Sequence, residues 1–219
     1  MRALTHRYYA TIFAGWQFPD AVQSQLEFRK RLFVDELGWD LQHRQGFERD
    51  EFDTDAAVYC CLHLDDEMVG CWRAIPTNIE YLGKKIFPQL ATLRPSPERS
   101  DVWEISRLGV IRHEQRPLSA QYIYALMFHF ARSRNARSLC GVVSLIHNRN
   151  FVMSGVKTRR YGAPQVIGRD LRGRPITVFF GEILMAEQSS ESFKRLLESV
   201  NEVELRDEAL ILGRTTVSA

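Results

Sequence analysis

The stretch from Arg29 to Asp53, RKRLFVDELGWDLQHRQGFERDEFD, combines cations, aromatic rings and anions in one short segment. The run WEISR, from Trp103 to Arg107, repeats this mixture further along the chain. Burying a charged side chain is costly unless the charge is paired, so a packed core has no need of such a mixture. We therefore interpret the two stretches as parts of one polar pocket.

Length and composition favour a single domain over residues 1–219. The chain is 45% hydrophobic, which suffices for one substantial core. Its formal charge of +2 gives no reason to expect a nucleic-acid partner, and no helix-turn-helix pattern is visible. The N-terminus lacks an apolar signal core and no run of about eighteen apolar residues occurs, so we expect a soluble cytoplasmic protein.

The four cysteines are predicted to be reduced and structural. Cys60, Cys61, Cys71 and Cys140 form no Cys-x-x-Cys pair, and no nearby histidine completes a metal-ligand spacing. Three of them lie in apolar runs, where a free thiol behaves as a small hydrophobic group. The sequence therefore predicts no metal site.

Apolar periodicity predicts helices and strands that intermix without strict alternation. Residues 2–18 are expected to form a strand or arm and residues 40–54 a loop. Helices are predicted over 21–37 with Asp20 as the cap, 81–93, 119–135, 147–153 and 190–203 with Ser189 or Ser190 as the cap, and strands over 57–64, 68–75, 102–111, 139–144 and 176–184. This order favours a mixed sheet covered by helices.

One strand contains a conflict between its pattern and its proposed role. Side chains alternate along a strand, so Glu104 and Arg107 should point to opposite faces of the sheet. Both can face one pocket only if a bulge or the end of the strand lies between them. We therefore expect an irregularity in this strand.

Several short motifs with fixed internal spacing carry a resemblance to a known family. They are Arg29-x-x-x-Phe33, Leu37-Gly38-Trp39, GFERDEFD from Gly46 to Asp53, Gly70-x-x-Arg73-x-x-Pro76-Thr77, Phe87-Pro88 and Trp103-Glu104-x-Ser106-Arg107. From about Phe28 to Val110 the sequence resembles the acyl-homoserine-lactone synthases, the autoinducer synthases of bacterial quorum sensing. Eight positions match that family's pattern: Arg29, Phe33, Trp39, Asp50, Asp53, Arg73, Glu104 and Arg107.

The resemblance implies an α/β protein with an N-acetyltransferase-like mixed β-sheet flanked by helices, a three-layer α/β/α sandwich. It also implies an acyltransferase that takes S-adenosylmethionine and an acyl thioester, usually on acyl carrier protein, and releases an N-acyl-homoserine lactone and methylthioadenosine. The sequence leaves open whether acyl carrier protein or coenzyme A carries the acyl group. S-adenosylmethionine is then a substrate, and no cofactor is expected. Leu108 and the pair Glu80-Tyr81 depart from the usual family residues. These departures leave the identity of the acyl chain open rather than the reaction.

The family residues suit the parts of that substrate. An aromatic face formed by Phe33 and Trp39 could hold the sulfonium, although both rings could simply pack a helix onto the sheet. Asp50 and Asp53 could orient the ammonium or anchor arginines, and as isolated residues they would be solvated loop acids. Arg29, Arg73 and Arg107 are candidates for these ion pairs and for the substrate carboxylate, and the sequence leaves the division open.

Glu104 is our candidate for the base that deprotonates the attacking amine. The alternative is that Glu104 is a structural partner of an arginine. Glu104, Arg107 and Asp50 are thus the predicted catalytic residues. Backbone N–H groups after Arg107, or near Val143 and Ser144, are candidates to bind the thioester oxygen. Ser106 and Phe87 complete the predicted substrate-binding set. An acyl tunnel could use Phe87, Leu108, Met127, Val142 and Leu145, which could equally be core residues.

A basic surface is predicted for docking the acidic acyl carrier protein. One cluster lies in a C-terminal stretch and a second at the end of the long helix. The clusters are Lys157, Arg159, Arg160, Arg169, Arg172 and Arg174, and then Arg132, Arg134 and Arg137. No membrane partner is expected.

Two other functions fit the same fold. An acyl-CoA-dependent N-acyltransferase acting on another amine would normally place a glycine-containing loop at a helix start to bind pyrophosphate. The loop from Arg112 to Ser119 contains no glycine, which argues against that cradle. The second alternative, a non-catalytic binding module, is disfavoured by the presence of Glu104, Asp50 and Arg107.

Overall fold

A mixed β-sheet forms the centre of the computed structural model, which describes residues 7–111 and 118–209. The strands of the described chain are β1 (Tyr8–Ala14), β2 (His43–Arg44), β3 (Phe47–Glu48), β4 (Val58–Leu64), β5 (Glu67–Pro76), β6 (Val102–Val110), β7 (Ser138–Ser144), β8 (Arg159–Arg160), β9 (Gln165–Arg169), β10 (Pro175–Leu184) and β11 (Glu204–Asp207). Nine of these described strands form the sheet, in the order β11-β1-β4-β5-β6-β7-β10-β8 with β9 also paired to β10. Strands β2 and β3 form a separate hairpin. The pairs β1–β11 and β6–β7 are parallel and the others antiparallel.

Five α-helices connect and cover the described strands. They are α1 (Pro19–Arg29), which continues as a π-helix over Lys30–Glu36, then α2 (Leu82–Ile86), α3 (Ser119–Ser133), α4 (Leu145–Met153) and α5 (Glu191–Glu198). Single 3₁₀ turns occupy Pro88–Leu90, Met185–Glu187 and Ser199–Glu202. Within the part of the chain that the structure describes, no helix is long and apolar enough to cross a membrane.

The two faces of the sheet are covered by different helices. Alternate side chains of β4 and β5, such as Leu62 and Trp72, pack with α3 and α5. Their neighbour Cys71, which points the other way, packs with the helical segment from Phe28 to Phe33. We call these sides the α3 face and the α1 face. The predicted three-layer α/β/α arrangement with a mixed sheet is confirmed.

The parallel strands β6 and β7 form a fork. They are joined at Val102–Ser138, Trp103–Leu139 and Glu104–Cys140, and no further pair joins them in the described chain although both strands continue. At the branch point a Cβ on Gly141 would lie 2.5 Å from the carbonyl oxygen of Ile105. Glycine therefore lets the backbones approach closely there, and beyond it the strands leave a gap in the sheet.

The expected irregularity in β6 is a bulge. On β5, Cys71 and Arg73 are two residues apart, whereas their partners Gly109 and Ser106 are three apart. Arg107 has a φ of 52°, which is unusual for a residue other than glycine. The extra residue changes the direction of the strand, so that Glu104 and Arg107 can serve the same region.

The predicted helix over 21–37 differs from the structure in two ways. It begins at Pro19 with Phe18 as the cap residue, so the prediction that Asp20 caps it is wrong. Proline suits the first position of a helix because its missing N–H would be unbonded there. The second half is π-helical rather than α-helical and ends at Glu36, and Gly38, whose φ is 70°, lies just past it.

Short strands were the elements that periodicity did not reveal. The expected loop over 40–54 contains the hairpin β2–β3, which turns at Gln45 and Gly46, both with positive φ. The strands β8, β9 and β11 were also not predicted, since segments of two to five residues carry too little pattern. The predicted C-terminal helix is α5, where Ser190 Oγ accepts the N–H of Phe193 at 3.1 Å, followed by a 3₁₀ turn. Most of the glycine-free loop, 112–117, lies outside the described residues.

The cysteine prediction is confirmed, because Cys60, Cys61, Cys71 and Cys140 are all free and buried. Burial raises the pKa of each thiol. These thiols are therefore protonated at neutral pH and poorly reactive.

The fork makes Gly141 a sensitive position. We expect Gly141→Ala to lower the free energy of unfolding by about 1 to 3 kcal/mol, since the new methyl group meets the backbone of Ile105, which cannot move as a flexible side chain would. Urea denaturation measures the change. Gly168→Ala is the control because its Cβ would have no atom within 4 Å. Equal stability of the two variants would contradict the close approach at the fork.

Candidate active site

A cavity of about 840 Å³ passes through the gap between β6 and β7. Its walls therefore come from both faces of the sheet. On the α1 face they include Phe33, Trp39, Phe87, Val142, Ile167 and Ile176, and on the α3 face Met127, Leu139, Val143, Phe151, Phe179 and Ile183. The half on the α3 face is mainly apolar, with His147 as a polar lining residue beside Tyr124. The half on the α1 face also contains charged groups.

Those charged groups belong to a network of three arginines and three carboxylates. Its centre is Asp53, whose two carboxylate oxygens accept Arg29 Nη1 at 2.6 Å and Nη2 at 3.0 Å. The Oδ1 atom also accepts Arg73 Nη1 at 2.8 Å and the hydroxyl of Tyr59 at 3.0 Å, while Oδ2 accepts the backbone N–H of Asp50 at 2.8 Å. Asp53 thus fixes two arginines and its own loop.

Arg107 closes the other side of the network. Its Nε and Nη2 atoms donate to Glu48 at 3.0 and 2.8 Å, and Nη2 also donates to Asp50 at 2.8 Å. Arg73 donates to the two oxygens of Asp50 at 2.5 and 3.1 Å and, through Nε, to Ser106 Oγ at 3.1 Å. Arg29 Nε donates to Glu48 at 2.6 Å. With three positive and three negative groups, the network is balanced in charge.

The pKa values show how strongly the arginines hold these acids ionised. Burial acts to raise the pKa of Asp53, but the charges of Arg29 and Arg73 outweigh it and hold that pKa well below its usual range. Burial likewise opposes ionisation of Glu48, and hydrogen bonds from Arg107 together with the charge of Arg29 lower its pKa. Both carboxylates therefore remain charged at neutral pH.

The network has a side that meets the cavity and a side that does not. Glu48, Asp50 and Arg107 line the cavity, and the side chain of Asp50 is 18% exposed. Among the described residues the other three members are absent from the lining, and Arg29 is fully buried. The geometry thus separates residues that can touch a ligand from residues that hold them in place, which the sequence left open.

Glu48 is the member of the network that sequence reasoning missed. It is buried, and it pairs with both Arg29 and Arg107. It lies inside the quoted motif GFERDEFD, but among several acids its role was not evident. One signal was available, because three arginines were assigned to a pocket with only two aspartates to balance them.

Phe33 and Trp39 stand together at the cavity wall. Their ring centroids are 5.1 Å apart with an interplanar angle of 26°, and both rings line the cavity. The turn after the π-helix fixes Trp39, whose backbone N–H donates to the carbonyl oxygen of Phe33 at 2.8 Å. Phe33 is buried and Trp39 partly exposed, so Trp39 offers the larger accessible ring.

Glu104 lies beneath the wall rather than in it. It is fully buried, it is absent from the lining among the described residues, and its oxygens accept the backbone N–H groups of Leu82 at 3.0 Å and Gly83 at 2.6 Å. A Cβ on Gly83 would lie 2.8 Å from Glu104 Oε1, so glycine permits this approach. Burial raises the pKa of Glu104 to about 7, although the Gly83 N–H and the charge of Arg73 act in the opposite direction.

Most of the other predicted site residues also lie at the cavity. Phe87, Ser106, Val143 and Ser144 are in its lining, as are the proposed tunnel residues Leu108, Met127 and Val142. Leu145 is 48% exposed at the start of α4 and is absent from the lining in the described chain. Ser144 also caps α4, since its Oγ accepts the N–H of His147.

Part of the predicted basic surface is neutralised within the protein. Arg134 forms a two-point ion pair with Asp207 at 2.8 Å and lies over the ring of Phe130. Arg159 pairs with Glu187, and Arg174 pairs with Asp170. Docking of a carrier protein on this surface stays a prediction.

The fold resembles those of several solved structures. BjaI, described as a CoA-dependent acyl-homoserine lactone synthase, superposes with a TM-score of 0.79 over 96% of this chain and 99% of that one, at 18% identity. A putative N-acetyltransferase from Lactobacillus plantarum gives 0.52 at 16% identity. Identities this low show the fold alone. The fold is N-acetyltransferase-like.

Sequence similarity then identifies the family. The profile for autoinducer synthases matches residues 20–172. An acyl-homoserine-lactone synthase from Ralstonia nicotianae is 35% identical over 182 residues, which cover 78% of this chain and 87% of that protein. TofI, solved in a ternary complex with an inhibitor and MTA, is 30% identical with a TM-score of 0.72 over 85% of this chain and 96% of that one. The chain belongs to the autoinducer synthase family, as the motifs predicted.

The two sides of the network should respond differently to mutation. Arg29→Ala leaves Asp53 and Glu48 buried with one partner fewer, and we expect it to lower the free energy of unfolding by about 3 to 5 kcal/mol. Arg107→Ala should lower the free energy of unfolding less, because water in the cavity can reach Glu48 and Asp50, the two acids that lose their partner. Urea denaturation measures both. Arg31→Ala, at an exposed position on the same helical segment, is the control, and equal losses at positions 29 and 107 would contradict the two-sided network.

The buried acid makes stability depend on pH. The folded chain keeps the Glu104 proton up to about pH 7, whereas the unfolded chain releases it near the ordinary pKa of 4.5. Between these values the folded state binds more protons, so stability decreases as the pH rises.

We expect the free energy of unfolding of the wild type, relative to Glu104→Gln, to fall by about 3 kcal/mol from about pH 4.5 to about pH 8. Denaturant titrations at both pH values measure the difference. Effects of other titrating groups cancel in this comparison. A difference that does not change with pH would contradict the raised pKa.

Proposed function

We propose that this chain synthesises an N-acyl-homoserine lactone, a quorum-sensing signal, from S-adenosylmethionine and an acyl thioester. The observation that carries the proposal is the cavity through the fork, which joins a charged, aromatic half to an apolar half. The two substrates match these two halves, because one is a charged nucleoside and the other carries a hydrocarbon chain. Each can occupy its own face of the sheet, and their reacting groups can meet between β6 and β7.

S-adenosylmethionine is assigned to the half on the α1 face. Trp39, supported by Phe33, presents a ring to the sulfonium, an attraction of about 0.5 to 2 kcal/mol. Asp50 is the partly exposed carboxylate that can accept hydrogen bonds from the α-ammonium. Arg107 and Ser106 line the cavity beside it and can bind the α-carboxylate. Arg29, Asp53 and Arg73 hold these groups in position from behind the wall, and Glu48, which also lines the cavity, fixes Arg107.

The acyl chain is assigned to the half on the α3 face. Its wall there is mainly apolar and includes Met127, Val143 and Phe151, which suits a hydrocarbon. The thioester carbonyl then lies in the gap, where β6 and β7 no longer bond to each other. Backbone N–H groups near Val143 and Ser144 can donate to the oxygen as negative charge develops on it.

Glu104 is assigned as the base for amide formation, acting through an intervening water because it lies behind the wall. Its pKa of about 7 suits proton exchange at neutral pH. The neutral amine attacks the thioester carbon, a C–N bond forms, the C–S bond breaks, and the thiol departs with a proton. The α-carboxylate oxygen then attacks Cγ of the same molecule and displaces neutral methylthioadenosine. That step needs alignment rather than a covalent enzyme intermediate.

We infer that acyl carrier protein is the donor, and that the reaction takes place in the cytoplasm, where both substrates are made. Arg160 and Lys157 keep the surface near β8 basic, as an acidic carrier requires. Another family member of the same fold, BjaI, was solved with SAM and isopentyl-CoA. A test must therefore present the same acyl groups on both carriers.

The experiment incubates the purified protein with S-adenosylmethionine and a panel of acyl carrier protein and coenzyme A thioesters. Mass spectrometry should detect methylthioadenosine and an acyl-homoserine lactone in equal amounts. We expect Glu104→Gln and Arg107→Ala each to lower the rate by at least about tenfold, equivalent to about 1.4 kcal/mol of barrier. Arg195→Ala, on the surface of α5, is the control. Unchanged rates in both site variants would contradict the assignment of Glu104 and Arg107 to the active site. Formation of a different amide product would contradict the proposed function.

A further inference from the structure

A tight turn between β9 and β10 touches the segment that carries Trp39. The backbone N–H of Leu171 donates to the carbonyl oxygen of Gly38 at 2.8 Å. Gly38 is buried at this contact, and a Cβ placed on it would lie 3.5 Å from Leu171 Cβ. Two segments more than 130 residues apart in the chain therefore meet at one point.

Both segments also line the cavity. On one side of the contact the lining residues are Trp39–Gln42, and on the other they are Ile167–Arg169. The contact thus bridges the rim of the cavity on the α1 face. A molecule that enters or leaves on this side passes the rim that the contact bridges.

The turn keeps its own shape without that contact. The N–H of Gly173 donates to the carbonyl oxygen of Asp170 at 2.8 Å, and Asp170 Oδ1 accepts the N–H groups of Arg172 and Arg174, both at 2.9 Å. The side chain of Leu171 is 71% exposed, so it adds little buried area to the junction. The attachment to Gly38 therefore depends on one backbone hydrogen bond, and the turn can separate from it as a unit.

We propose that residues 170–173 form a strap that closes the nucleoside half of the cavity and positions Trp39 against the bound substrate. The strap separates from Gly38 to admit S-adenosylmethionine and to release methylthioadenosine. The identity of these ligands rests on the proposed function. Leu171 is thus a positioning residue, since its backbone acts on the substrate through Gly38 and Trp39.

The first test removes the single N–H donor. Leu171 is the second residue of the turn that Asp170 and Gly173 close, a position that proline favours, so Leu171→Pro deletes the bond while preserving the turn. We expect the KM for S-adenosylmethionine to rise roughly fivefold, the effect of one net hydrogen bond, with the KM for the acyl donor unchanged. Leu171→Ala keeps the N–H and should resemble the wild type. Identical KM values for the proline and alanine variants would overturn the inference.

The second test locks the strap. Because the two Cβ positions are 3.5 Å apart, Gly38→Cys combined with Leu171→Cys places two thiols within disulfide range. The native cysteines are buried and should not compete. Oxidation should slow association of S-adenosylmethionine by at least about tenfold, as expected for a blocked gate, and reductant should restore it. The two single variants, one of which carries the same backbone strain at Gly38, are the controls.

The outcomes separate the strap from the proposed function. If the wild type fails to bind S-adenosylmethionine in a calorimetric titration, the proposed function is wrong. If the wild type binds it and the oxidised double variant binds it equally fast, the strap is wrong. Failure of the two cysteines to oxidise would show that the segments do not lie together, and it would overturn the inference as well.

Discussion

Three guanidinium groups and three carboxylates form one ion-pair network beside the cavity, and the rest of the site depends on their pairing. Each member would be costly to bury alone. Together they leave Arg29 and Arg73 fully buried and keep Asp53 ionised. The consequence is a polar wall in which Asp50 and Arg107 meet the cavity while Arg29, Arg73 and Asp53 support them from behind it.

The sheet contributes a second constraint, because in the proposed function the two substrates meet where it opens. The fork at Glu104–Cys140 provides this opening, and the bulge at Arg107 turns the guanidinium toward the charged half. A continuous sheet would separate the nucleoside from the hydrocarbon chain. The same three residue pairs that end the β6–β7 ladder therefore determine where the chemistry can occur.

Much of this arrangement follows from the sequence, and the reasons are physical. Long periodic segments such as α3 and β10 fixed the layers, and the crowding of charges located the polar pocket. The alternation of side chains placed Glu104 and Arg107 on opposite faces of one strand, which predicted an irregularity, and the structure has a bulge there. In contrast, the π-helical turn before Gly38, the pairing of β11 with β1 and the role of Glu48 depend on contacts between distant segments. Which charges face the cavity depends on burial, which spacing alone does not encode.

We expect the two substrates to approach from opposite faces of the sheet and to meet in the fork between β6 and β7. The most direct measurement is a crystal structure with S-adenosylmethionine and an unreactive acyl thioether analogue bound together. We expect the nucleoside to lie beside Trp39 and Asp50 and the acyl chain beside Met127 and Phe151. The amine should lie within about 3.5 Å of the carbon that replaces the thioester carbonyl carbon. Both ligands on the same face of the sheet, with the gap between β6 and β7 empty, would contradict it.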